Sequence, residues 1–305
     1  MSVRAWSLIA ILSVLWGGTF LFNRVAVVEV PPFTVVFIRV ALAAVVLYPL
    51  VGLNRLRLPT GVTAWRDFAV MGLLNNVAPF VLIVWAQAHI PGGLASILNA
   101  LTPLFAVVCS HFLTPDDKAT PNKVIGVLLG LLGVAVLVGP GVLAQAGDAV
   151  LAELAVVAAT FSYGLSSVWS RRFRGRPPLV TSTGQLIASS VMLAPLAVLV
   201  DRPWTLALPG MATLGSLAAL ALLSTALAYV LFFRVVTLAG PSNAMLVTLL
   251  IPVSAILLTA TLLGERLALH QFLGMAVIAS GLIAVDGRLA RYIGQRRVSR
   301  SGEAG

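Results

Sequence analysis

LNNVAPFVLIVWAQAHIPGGLASILNALTPLF, residues 74–105, returns in altered form as LSTALAYVLFFRVVTLAGPSNAMLVTLLIPVS, residues 223–254. A constant offset of 149 lays Asn75 on Ser224, Phe80 on Tyr229 and Pro103 on Pro252. Working outward, PPFTVVFIRVALAAVVLYP matches PPLVTSTGQLIASSVMLAP at an offset of 146, so Pro32 meets Pro178, Arg39 meets Gln185 and Pro49 meets Pro195. Near the start, Trp16-Gly17 meets Tyr163-Gly164 and Arg24 meets Arg171; downstream, Gly133 meets Gly281 after a one-residue slip. Apolar segments align easily by chance, but matched prolines and polar residues do not. The chain therefore reads as two repeats, 1–146 and 147–287, followed by a basic tail, 288–305, expected to be disordered.

The repeats belong in lipid. Of 305 residues, 59% are hydrophobic and 10% charged, with a mean hydropathy of +1.03; a soluble domain carries about 25% charged residues. Too little polar surface exists to cover a water-facing exterior. Ten apolar segments can be drawn, at 5–28, 33–52, 67–88, 93–113, 123–140, 150–170, 179–200, 210–235, 241–263 and 270–287. Runs such as VIGVLLGLLGVAVLVG lack the alternation of a barrel strand, and a lipid-exposed backbone must satisfy its own hydrogen bonds, so helices are the default. The expected fold is all-α: ten transmembrane helices in two five-helix repeats. Because five is odd, the second repeat enters the membrane inverted, an architecture typical of secondary transporters.

Charge orients the bundle. With the N-terminus inside, 15 Lys and Arg residues fall on the cytoplasmic side, and 3 (Arg24, Arg202 and Arg266) fall outside. Basic residues concentrate on the cytoplasmic face, so both termini are expected there, in a bacterial-type inner (plasma) membrane. The net charge of +10 is then topology rather than nucleic-acid binding, since the basic residues are scattered over short loops and the tail. No cleavage site follows the first apolar run, which reads as a retained span.

Polar residues inside spans are costly and mark candidate sites. Arg39 lies a third of the way into the second span, where it either steers an anion or carboxylate, or snorkels or pairs with a carbonyl or an acid. Trp16, Thr19 and Asn23 fall at helical spacing and form either a substrate wall or a packing seam. Asn76 and Phe80 are four apart and share a face of the third span, whereas Trp85 and Gln87 read as interfacial belt. Tyr163 and Trp169 give the sixth span, and Tyr229 the eighth, a polar-aromatic character. In the fourth span, Pro103 deprives the carbonyl near Asn99 of its helical partner, a gap that Thr102 and Asn99 are placed to fill. The matching Pro252 sits at the same depth of the other repeat. The pair reads as gating hinges, with static kinks as the alternative. The candidate substrate cavity is thus Trp16, Thr19, Arg39, Asn76, Phe80, Asn99, Tyr163, Trp169 and Tyr229. Glu265-Arg266 reads as a terminal charge pair. Gly126, Gly130, Gly133, Gly274 and Gly281 read as close packing of the fifth and tenth spans, with a homodimer contact there as a further expectation.

The chain resembles the EamA-type transporters of the drug/metabolite transporter superfamily. The likeness covers about 5–287 and rests on LWGGTFLFNRVAV, PPFTVVFIRVALAA, GLASILNALTPLF and LIPVSAILLTATLLGERLALHQFLGMAVIASGLI. It implies a central cavity lined by spans of both repeats and transport, often export, of small metabolites such as amino acids. Pro115-Asp116 stands where the family has Gly-Glu, Thr19 where it often has Asn, and the first span lacks the central acid of small multidrug relatives.

Other classes fit less well. His89, His111 and His270 lie near span ends, and neither H-E-x-x-H nor G-x-S-x-G occurs, so an enzyme is not expected. The lone Cys109 excludes a disulfide or a Cys-cluster metal site; no cofactor or metal is expected. A channel would not require two inverted halves. Nucleotide-sugar and lipid carriers handle phosphates and want several basic residues in the cavity, where this chain offers mainly Arg39. A neutral or zwitterionic, partly apolar metabolite is therefore preferred over those and over drug substrates. The orientation is checked with a cysteine at Arg174 in a Cys109→Ser background: it should escape an impermeant maleimide added to intact cells and react after permeabilisation. Reaction in intact cells would reverse the topology.

Overall fold

The computed structural model describes residues 3–115, 118–138, 147–239 and 247–286. The basic tail, Asp116 and the boundary between the repeats at 146 lie outside the described residues. Within them the regular structure is entirely helical.

The first half begins with α1 (Val3–Ala26) and α2 (Pro32–Leu53). Next come α3 (Val62–Gly72) and α4 (Ala78–Gln87), joined by a π turn, Leu73–Val77. α5 (Gly92–Asn99), α6 (Thr102–Leu113) and α7 (Pro121–Val138) complete it. The second half follows with α8 (Asp148–Trp169) and α9 (Pro178–Leu196). α9 runs into a π turn of its own, Ala197–Asp201, and α10 (Met211–Ala221) and α11 (Ala228–Ala239) are joined, as α3 and α4 are, by a π turn, Leu222–Leu227. α12 (Val247–Leu263) and α13 (Leu269–Asp286) close the chain. Pro32 and Pro178 sit in the first turns of α2 and α9, where a missing N–H costs nothing. After α12 the chain reverses at Gly264, whose φ of +68° suits a residue without a side chain. This brings the Glu265 N–H back onto the Thr259 carbonyl at 3.3 Å.

Among the described residues, seven helical segments are long and apolar enough to cross a membrane, and three shorter apolar helices accompany them at Pro121–Val136, Leu250–Leu263 and Leu269–Gly281. The exterior is what lipid requires: Leu128, Val191, Leu199 and Leu257 point outward, while Arg39, Asn76, Gln87, Gln185 and Thr225 are buried.

The two halves interleave rather than stand side by side. α1 packs on α12 and α6 on α8; α4 packs on α8 and α11 on α1; α3 packs on α9 and α10 on α2. Each of these couples is related by the sequence offset, and two further large contacts, α2 with α9 and α7 with α13, join equivalent helices. The glycines of α7 and α13 face each other within this chain. A Cβ on Gly281 would lie 2.6 Å from the Gly126 carbonyl oxygen, and one on Gly133 would lie 2.9 Å from that of Gly274. Gly281→Ala should therefore lower the melting temperature of the purified protein, by overpacking that costs about 1–3 kcal/mol. Gly215→Ala, with open space around it, should not.

Candidate functional site

The site is built on the π turns that join α3 to α4 and α10 to α11. A π turn inserts a residue and frees backbone carbonyls, and it recurs at functional sites. Here the turns occupy matching positions of the two repeats, and each is pinned by a hydroxyl. Ser162 Oγ donates to the Leu74 carbonyl at 2.8 Å, Ser224 Oγ to the Leu15 carbonyl at 2.8 Å, and Thr225 Oγ1 to the Leu220 carbonyl at 2.8 Å.

Between the turns lies a polar cluster drawn from both halves. Arg39 Nε donates to Thr225 Oγ1 at 2.8 Å, and its guanidinium carbon sits 3.8 Å from the centre of the Phe80 ring. Asn76 is wholly buried; its Nδ2 donates to Ser189 Oγ at 3.0 Å and its Oδ1 accepts from the Tyr229 hydroxyl at 3.1 Å. Asn75 Nδ2 lies 3.5 Å from both Gln185 Oε1 and the Tyr229 oxygen, and Ser166 Oγ lies 3.2 Å from Asn75 Oδ1. Tyr163 and Tyr229 are the titratable groups that interact electrostatically with Arg39. Arg39 is buried, and no acid pairs with it among the described residues.

A groove of 610 Å³ leads from this cluster to one end of the bundle. Tyr229 is its deep residue; Leu47, Leu50, Leu179 and Phe233 wall it; Arg4, Asn54 and Arg234 stand toward its mouth. From Tyr229 to Leu238, nine residues along α11, the groove follows about 14 Å of helix.

The opposite end is laced by polar ties. The Glu265 carboxylate accepts from the N–H groups of Gly92 at 3.0 Å and Gly93 at 3.2 Å, satisfying donors that a helix start leaves free. It also lies 4.0 Å from Arg24 Nε. Arg24 Nη1 donates to the Gln87 carbonyl, Gln87 Nε2 to the Phe20 carbonyl at 2.7 Å, and Asn23 Nδ2 to Gln87 Oε1 at 3.0 Å. Asp201 Oδ2 accepts from the N–H of Thr34 at 2.6 Å and from its hydroxyl at 2.9 Å; Glu29 Oε2 accepts from the Gly210 N–H at 2.6 Å. Two expectations are corrected here. Gln87 is not belt but fully buried, because both ends of its amide are bonded to α1, at Asn23 and at the Phe20 carbonyl. Glu265 is held by Arg24 and the start of α5, which the reversal at Gly264 aims it towards, rather than by Arg266.

The structure brings together five of the nine candidate cavity residues: Arg39, Asn76, Phe80, Tyr163 and Tyr229. Trp16 is half-buried nearby, its ring 5.5 Å from that of Phe232. Thr19 is buried on α1 towards the tied end. Asn99 ends α5; its carbonyl accepts from Thr102 Oγ1 at 2.8 Å, while its Oδ1 is buried without a partner among the described residues. Trp169 stands apart, donating from Nε1 to the Asp67 carbonyl at 3.2 Å beneath the Arg172 guanidinium, 4.1 Å away. Pro103 follows a break in the helix at Ala100–Leu101, whereas α12 runs unbroken through Pro252. Asn75, Ser166, Gln185, Ser189 and Thr225 complete the cluster without having been among the candidates. The repeat alignment carries the signal for two of them, since it lays Arg39 on Gln185 and Asn76 on Thr225.

Membrane-length helices around a polar centre that both halves furnish define a polytopic membrane transporter. The chain belongs to the EamA-like transporter family, whose model matches residues 4–139 and again 150–285. It is thus a transporter of the drug/metabolite transporter superfamily and not an enzyme. It is similar to "Uncharacterized transporter YoaV" of Bacillus subtilis, with 25% identity over 88% of this chain and 92% of that one. It is also similar to "Protein PecM" of Dickeya dadantii, with 28% identity over 89% and 88%, and to "Uncharacterized inner membrane transporter YedA" of Escherichia coli, with 25% identity over 92% and 90%. A solved crystal structure shares the fold at a TM-score of 0.67 and 23% identity, over 95% of this chain and all of that one. Within the site, Tyr229→Phe removes the hydroxyl that donates to Asn76 and accepts from Asn75, contacts worth about 0.5–1.5 kcal/mol each, and should weaken solute affinity several-fold with only a small fall in melting temperature. Trp169→Phe should leave affinity alone; equal losses in transport assays of the two variants would dissolve the distinction between cluster and periphery.

Proposed function

We propose that the protein is a secondary transporter that exports a small metabolite, an amino acid or a similar zwitterionic, partly apolar solute. It works by alternating access between two inverted five-helix repeats that together make ten spans, with both termini in the cytoplasm of a cell bounded by a bacterial-type inner membrane. The observation that carries this reading is the central cluster. It takes its groups from both repeats, opens through a groove at one end and is tied shut at the other. Helix couples related by the sequence offset support the inverted pairing, because such halves can exchange conformations. The groove's mouth carries Arg4 and Arg234, which fits a cytoplasmic end, so the state described is inward-facing. Pro103 and Pro252 serve as the hinges that pass the bundle to the outward-facing state.

The test is reciprocal accessibility. In a Cys109→Ser background, a cysteine at Thr237 in the groove should label from the cytoplasmic side, and one at Thr19 behind the ties should not label from outside. Glu265→Ala removes the carboxylate from α5 and should reverse both. Pro103→Ala and Pro252→Ala should each slow turnover roughly tenfold, about 1.4 kcal/mol in barrier, and bias the labelling in opposite directions. Labelling that rises or falls together at both positions would sink alternating access; wild-type turnover in both proline variants would remove the hinges.

A further inference from the structure

Arg39 is the charged side chain of the central cluster. A lone guanidinium inside a bilayer-spanning bundle is expensive and is ordinarily neutralised by an acid. Here it is 5% exposed, and no described carboxylate reaches it; its electrostatic neighbours are two phenols. Towards the described residues the fork is engaged through Nε alone, by Thr225, while Phe80 covers one face of the guanidinium. Those contacts fix the plane of the fork. They leave its two terminal nitrogens, the pair suited to a planar carboxylate, without a described partner. Nearby stand neutral donors and acceptors: Asn75, Gln185 and the Tyr229 hydroxyl.

The groove has the same sign. Arg4 and Arg234 line it, no Asp or Glu does, and neither arginine is ion-paired among the described residues. Basic residues at a cytoplasmic mouth are expected of any such protein and by themselves say little. Arg39, about 11 Å of helix rise in from the far end of α2, is not expected. With it they mark a route of one charge between apolar walls at Leu47, Leu50, Leu179 and Phe233.

We infer that the solute is an amphiphilic carboxylate. Its carboxylate docks on the terminal nitrogens of Arg39 and neutralises the site, and its hydrocarbon or aromatic part is accepted by the groove. A phosphate, with two charges to balance, would find one deep cation. An amine would find none of the acids it needs. This inference rests on reading the cluster as the translocation site and narrows the substrate to those that bring the missing negative charge. The class spans amino acids with apolar side chains and simple organic acids.

The test uses the full-length protein in liposomes and three solutes of one shape: phenylalanine, 3-phenylpropanoate and the uncharged 3-phenylpropanamide. At least one of the carboxylates should enter about tenfold faster than the amide or more, as expected of a site whose buried polar group needs a partner. Uptake of phenylalanine alone identifies a zwitterion site; uptake of both identifies the carboxylate as sufficient. Arg39→Gln, which copies the matching Gln185, should erase the preference, and Arg39→Lys should retain part of it, with thermal unfolding recorded for each. Arg4→Gln with Arg234→Gln should slow carboxylate entry at low salt and leave the amide unchanged. An amide that moves as fast as both carboxylates in the wild-type protein overturns the inference, whatever the variants do. So does absence of flux for all three, while the transport reading is judged separately by the labelling of Thr19 and Thr237.

Discussion

Inside a bilayer a polar group that finds no partner in the protein finds none at all. That constraint explains most of what this bundle does with its few polar side chains. Serines and threonines bond to carbonyls of their own helices, as Thr160, Ser182 and Thr183 do, or to carbonyls that the π turns release. Where the helix in front of Pro103 breaks, the carbonyl of Asn99 is taken by Thr102. Polar side chains left over from this local pairing meet between helices. They do so at two levels: the central cluster and the tied end.

The two levels differ in kind. At the tied end, charged and amide groups bond to one another across α1, α4, α5 and the reversal after α12, and the result is closure. At the centre the groups are mostly neutral, and the one charge is held by a hydroxyl and a ring. The first level is made of bonds that can be exchanged for water; the second is made of groups waiting for a solute. Interleaved helices couple them, since α1 carries Asn23 and Arg24 at the tied end and supplies the Leu15 carbonyl to the π turn of the other half.

Much of this was legible in the sequence. Hydropathy and prolines gave the helices, and matched polar residues gave the repeat and hence the pairing of Arg39 and Asn76 with the opposite half. Depth was harder than face. Tyr163 and Trp169 both belong to α8, but six residues, about 9 Å of rise and about 120° of turn, carry the tryptophan out of the cluster to Asp67. Gln87 and Asn76 likewise lie eleven residues apart, three turns of helix, and serve different levels of one buried stripe. The π turns left no trace that composition or periodicity reveals, because an inserted residue changes the register and not the hydrophobicity. Gln87 read as belt because a span's end, seen in sequence, does not say which way it faces.

The interleaving also sets the timing of assembly. Gly126 and Gly281 meet across α7 and α13, yet 155 positions of chain separate them. At a synthesis rate of about 5–20 residues per second, roughly 8–30 seconds pass between the two emerging. During that interval the helices of the first half lie in the membrane with their glycine and amide faces uncovered, because the surfaces that cover them are not yet made. Such a chain cannot mature half by half on the ribosome. The uncovered faces of the first half must be kept from neighbouring proteins until the second half arrives, which makes the insertion machinery, rather than the first half's own packing, the guardian of the early intermediate.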